Sequence, residues 1–136
     1  MTTITDLPHA KVTLDAQGVA CLTIQTSNHL NILGTPVVAD LRTALAQIAQ
    51  RSEIRVLVLR GTGDKAFVAG ANIKEMAGLD RLGAETFISG LRDLCELVRH
   101  FPAPVIARIP GWCLGAGLEL AMACDLRVAA EGTQFG

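Results

Sequence analysis

The chain has 136 residues, 50% of them hydrophobic, with 12 Lys and Arg set against 13 Asp and Glu for a formal net charge of −1. That length and balance fit one soluble globular domain with a real core, and are too small for two. They exclude a basic nucleic-acid surface and an acidic disordered tail, and a chain with no Tyr, one Trp and four Phe offers no aromatic stacking platform.

Met1 to Ala10 hold neither an apolar run nor a basic start, so no signal peptide is expected, and no stretch is apolar for long enough to span a membrane. The expected location is cytoplasmic. Lys11 to Asp15 and Val19 to Gln25 read as two strands around the turn Ala16-Gln17-Gly18. Thr35-Pro36 offers an N-cap followed by Pro at the first helical position, and Val37, Val38, Leu41, Leu45 and Ile48 continue at helical spacing. Ile54 to Arg60 is a short, nearly continuous apolar run, expected to be a strand buried on both faces, and Gly61 and Gly63 end it. A second helix is expected from Gly83 to His100, with Phe87, Ile88, Leu91, Leu94, Cys95 and Val98 on one face and Pro102 and Pro104 beyond it. Val105 to Ile109 is another buried strand. The glycine-rich segment Gly111 to Gly117 opens a helix from Ala116 to Cys124, and Leu126 to Ala130 is a last strand. This alternation is an α/β order with a mostly parallel sheet, in which ligands bind beyond the strands' C-terminal ends. The cysteines at 21, 95, 113 and 124 form no C-x-x-C pair and have no clustered histidines, so reduced, buried thiols and no metal site are expected.

Gly61 to Ala66 fits the pattern G-x-G-x-x-A after a strand, but another apolar stretch follows instead of a long helix, so the dinucleotide-binding reading fails on context. In Lys65 to Met76, the small residues at 69 to 71 admit a close backbone approach, and a helix starting near Asn72 leaves amides unpaired. An outward Ala71 N–H would suit an anion or oxyanion; the ordinary alternative is a helix-entry turn, which physics alone favours. In Ile109 to Asp125, a strand ends, three glycines follow at 111, 115 and 117, and a very apolar helix begins that carries one acid, Glu119. Buried and unpaired, that carboxylate would be costly, so either it faces solvent or it has a task in a pocket.

These two segments resemble the paired oxyanion-hole motifs of the crotonase (enoyl-CoA hydratase/isomerase) family. Leu30-Asn31 is similar to the family's early L-N element, and Gln134-Phe135-Gly136 to its Q-F-G. The resemblance runs over nearly the whole chain. It implies an α/β fold of the ClpP/crotonase type, a spiral of ββα units, here one incomplete domain over residues 1–136 without the family's C-terminal helical trimerisation region. It implies that Ala71 and Ala116 supply two backbone donors in one shared cleft, and that Glu119, lining that cleft, is the first of two water-handling glutamates. The second falls a few residues after Q-F-G, past Gly136. Lys65, Ala66, Ala69, Ala71, Asn72, Ile73, Lys74, Trp112, Gly115 and Ala116 fall where the family contacts CoA or lines the acyl pocket. Ala116 stands where Gly is usual, Asn72 where Asp is frequent, and Pro110 where Asn is frequent. The implied substrate is an enoyl-CoA, with coenzyme A part of the substrate and no separate cofactor or metal, and with no nucleic-acid or membrane partner. The implied assembly is a homotrimer or hexamer at full length. Hydration is the leading reaction. An isomerase, another crotonase reaction or a non-catalytic acyl-CoA-binding protein is the alternative.

Overall fold

A computed structural model describes residues 1–136. Its elements in chain order are β1 (Thr2–Asp6), β2 (Ala10–Leu14), β3 (Val19–Ile24), α1 (Thr35–Ile48), β4 (Val56–Gly61), β5 (Ala66–Val68), α2 (Ile73–Ala77), α3 (Arg81–Arg99), β6 (Val105–Ile109), β7 (Trp112–Cys113), α4 (Ala116–Ala123) and β8 (Leu126–Ala129). The first three strands form an antiparallel meander. The expected hairpin turn is built by Asp15, whose carboxylate accepts the N–H groups of Gln17 and Val19 at 2.8 and 2.9 Å, and by Gly18 at φ 86°. β1 is an addition to the expected elements: Thr2–Asp6 has one apolar residue, Ile4, and adds an edge strand to β2.

From β3 onward the sheet is parallel, in the order β1-β2-β3-β4-β6-β8. A second sheet has only β5 and β7, also parallel. The chain therefore repeats one unit. β4 lies in the large sheet, β5 in the small one, and helix follows; β6, β7 and α4 do the same, and β8 starts a third turn. α1 packs on α3, and α3 on α4. The core is one cluster of 29 buried residues, with Leu22, Leu41, Leu57, Leu59, Leu94 and Leu120 among its most enclosed members.

Three expectations need correction. β4 is not buried on both faces: Leu57 and Leu59 are enclosed while Val56 and Val58 are half-buried, because only one face meets the helices in full. The N-cap of α1 is Gly34, not Thr35. Thr35 is instead tied to Glu75, its N–H donating to Oε2 at 3.0 Å and its hydroxyl to Oε1. α3 begins at Arg81 because Asp80 caps it, accepting from the Gly83 N–H at 2.7 Å. The G-x-G-x-x-A segment leads into β5 and not into a helix, in accord with the rejection of a dinucleotide fingerprint.

Candidate active site

The Ala71 loop leaves the end of β5 through Gly70, at φ 128°. Leu33 lies beside it in a parallel bridge: its N–H donates to Gly70 O, and its carbonyl accepts from Asn72 N–H, both at 3.0 Å. Backbone groups alternate sides along extended chain, so the Ala71 N–H points away from Leu33. It donates to no protein acceptor. Asn72 then caps α2, accepting from the Glu75 N–H at 3.0 Å.

The Ala116 loop leaves β7 through Gly115, whose φ of 54° and ψ of −120° suit glycine alone. Gly115 N–H donates to Gly136 O and Gly117 N–H to Leu114 O, each at 2.8 Å. Between them the Ala116 N–H, at the first helical position, finds no protein acceptor, as the first turn of a helix dictates. Alanine here is compatible with that free donor, so the departure from glycine leaves the amide in place.

The small sheet sets the two loops side by side. Leu114 N–H donates to Val68 O at 3.1 Å, and a Cβ added at Gly115 would lie 3.9 Å from Gly70 Cα. The approach is close elsewhere too. A Cβ at Gly117 would fall 2.0 Å from Val68 O, and one at Gly111 would fall 2.2 Å from Lys65 O.

Glu119 sits in the first turn of α4 and is exposed, so no burial cost presses on its carboxylate. No ion pair holds it. It lines a groove of about 320 Å³ against one stripe of α3 formed by Ile88, Leu91, Arg92, Cys95, Glu96 and Arg99. Neither Ala71 nor Ala116 lines that groove. A larger groove, about 530 Å³, lies between α1 and α3 around Val38, Leu79 and Phe87 and contains none of the expected residues.

The other expected contacts fall on the rim of the two loops. Lys65, Ile73, Lys74, Trp112 and Gly115 are exposed, and Ala69 and Asn72 are half-buried. Ile73 and Trp112, 79% and 43% exposed, place apolar surface on that rim. Lys65 and Trp112 are neighbours through a backbone hydrogen bond of 3.1 Å. Ala66 is fully buried in β5 and offers no side-chain surface to a ligand. Cys113 and Cys124 are buried, while Cys21 and Cys95 are only half-buried. Burial pushes the Cys113 and Cys124 thiols up to about 11 and about 12; Cys95 is raised by burial first and then by the nearby Glu119 charge. All three are held as neutral thiols at neutral pH, unsuited to nucleophilic work. No group of three or more His, Cys, Asp or Glu side chains is arranged to hold a metal ion. No helix is long and apolar enough to cross a membrane.

Parallel ββα turns, whose short second strands open two adjacent glycine-rich loops, define an α/β spiral domain. A family model described as enoyl-CoA hydratase/isomerase matches residues 15–136, and the chain belongs to that family. It is 40% identical over 120 residues to the enoyl-CoA hydratase domain-containing protein 2, mitochondrial, of Mus musculus, covering 88% of this chain and 40% of that one. It is 34% identical over 126 residues to the short-chain-enoyl-CoA hydratase of Clostridium acetobutylicum, covering 92% and 48%. The crystal structure of an enoyl-CoA hydratase from Bacillus anthracis matches with a TM-score of 0.89 at 37% identity, over 94% of this chain and 50% of that one. The fold is that of the crotonases. The chain spans less than half the length of these two curated relatives.

Proposed function

We propose that the protein carrying these residues hydrates a 2-enoyl-CoA thioester, with Ala71 and Ala116 as its oxyanion donors. One observation carries this reading: two adjacent loops, in a chain of the enoyl-CoA hydratase/isomerase family, each leave one backbone N–H without an acceptor. Both N–H groups donate to the thioester oxygen. Water oxygen bonds to Cβ, the π electrons of the double bond move toward the carbonyl, and the oxygen takes up negative charge as an enolate. The proton lost by the water is returned at Cα, so one whole water is added across the double bond and the enolate charge is discharged. Preorganised amides stabilise that developing charge more than they stabilise the neutral ground state. Glu119 orients the water and receives its proton, while the positive end of α4 supports the charge developing on the thioester oxygen. The apolar rim of Ile73 and Trp112 and the charges of Lys65 and Lys74 would receive the CoA portion, which arrives with the substrate; no separate cofactor or metal takes part. A homotrimeric or hexameric assembly and a cytoplasmic setting belong to the same proposal.

Crotonyl-CoA hydration by the full-length protein tests it. In Glu119→Gln, kcat falls by roughly 10²–10⁴, the usual worth of a positioned general acid or base, while thioester affinity stays near wild type. Turnover unchanged by this substitution would remove Glu119 from the chemistry.

A further inference from the structure

We propose that Asn31 is a positioning residue that aims the Ala71 N–H, and so acts on the reaction without touching the substrate. The inference rests on the reading of Ala71 as an oxyanion donor. Asn31 is 0% exposed and has φ 56°, a left-handed conformation that only Asn, Asp and glycine adopt with ease. Its side-chain amide is fully used. Oδ1 accepts from the Thr26 hydroxyl at 3.0 Å and from Thr62 N–H at 3.3 Å; Nδ2 donates to Thr62 O and to Ala66 O, both at 3.2 Å. Its own N–H donates to Thr26 Oγ1 at 3.2 Å. One side chain thus joins the end of the β3 segment, the β4–β5 turn and the start of β5. Space for it is made by Gly61, where a Cβ would lie 2.1 Å from Nδ2.

What that clamp fixes is a register. Leu30 precedes Asn31, Leu33 follows it two residues on, and both run along residues 69–72: Ala69 N–H donates to Leu30 O at 2.9 Å, and Leu33 bonds both Gly70 O and Asn72 N–H. Those bonds occupy the Leu33 side of the loop, and the alternation of extended chain then turns the Ala71 N–H the other way, toward the side without an acceptor. If residues 30–33 slip or swing, the donor swings with them. Asparagine suits the place because it alone combines left-handed backbone with two donors and an acceptor of neutral charge; aspartate would lose both donations and bury a charge.

The test uses the full-length protein with Asn31→Gly, which keeps the backbone conformation and removes the amide, and Thr26→Val, which loosens the same network less. Leu45→Val, fully buried on α1 away from the loops, is the control for a general loss of stability. The readouts are kcat and KM for crotonyl-CoA, Tm, and the red shift of cinnamoyl-CoA absorbance on binding, which reports polarisation of the thioester carbonyl. In Asn31→Gly, kcat falls on the order of 10²-fold, as for a group misplaced by about 1 Å, KM changes little, and the red shift is lost. Thr26→Val shows the same pattern at smaller size, and Leu45→Val lowers Tm with the red shift intact. Wild-type kcat and red shift in Asn31→Gly, or a loss matched by Leu45→Val, overturns the proposal. Should Asn31→Gly not fold, the same two readouts on Thr26→Val decide. A wild-type protein that neither hydrates crotonyl-CoA nor shifts cinnamoyl-CoA removes the hydratase reading first, and this inference with it.

Discussion

The two loops reach the same state, an amide without an acceptor, by different routes. Residues 70–72 run beside Leu33, with Gly70 at φ 128°, and Ala71 is free because Leu33 has taken the groups on either side of it. Residues 114–117 turn sharply at Gly115, and Ala116 is free because a helix start has no carbonyl one turn back. The first donor depends on a partner far away in the chain. The second is left free by the helix start itself, which Gly115 at φ 54° and the missing Cβ of Gly117 against Val68 O allow. Remote packing changes should disturb the first loop, and point changes in backbone chemistry the second.

The sharpest test of that contrast is Ala116→Pro. Proline is tolerated at the first helical position, so α4 still forms while one donor disappears. Crotonyl-CoA turnover by the full-length protein should fall by roughly 10²–10³, the usual effect of losing one oxyanion donor, with Tm changed little. Activity within a few-fold of wild type would mean that the Ala116 amide carries no charge in the reaction. Next in size is Gly117→Ala. Its Cβ would meet Val68 O at 2.0 Å, so α4 must move off β5. Chemical denaturation should show a loss of about 1–3 kcal/mol, the usual range for overpacking. An unchanged midpoint would show that the loops have slack where the structure shows contact. The smallest effect is expected from Asn72→Ala, which removes the cap on the Glu75 N–H but not the backbone bond to Leu33. A loss of about 1 kcal/mol should appear in Tm, largely recovered in Asn72→Asp. Turnover should fall far less than in Ala116→Pro; a comparable drop would mean that α2, rather than Leu33, aims Ala71.

Much of the frame was legible in residue patterns. Val105–Ile109 is a strand over its expected span, though Ile106 and Arg108 are only half-buried, and α1 and α4 lie close to their expected spans because periodicity and punctuation agree there. The ββα repeat was legible only through the family resemblance and not in residue patterns. β5 and β7 have three residues and two, too few for any period, and they exist as strands only by pairing with each other. β1 was missed for a related reason: Thr2–Asp6 is polar, and it is a strand because β2 offers it an edge. Thr35 carried a cap signal that tertiary contact redirected to Glu75. Of the candidate site, the glycines and small residues marked both loops, while the direction of the Ala71 N–H rested on the family resemblance alone. Among its apolar neighbours Glu119 would be costly to bury, and its exposure removes that cost.

By itself, then, the sequence determined the α/β alternation, the two glycine-rich openings and the family motifs, because these depend on local propensity and on which residues admit tight turns. Only the tertiary structure decided that the openings lie side by side, that Leu33 turns Ala71 N–H outward, and that Asn31 is spent wholly on internal hydrogen bonds. The physical reason is that a hydrogen-bond donor's direction is set by the partners of its neighbours, and those partners come from chain segments that no local pattern connects.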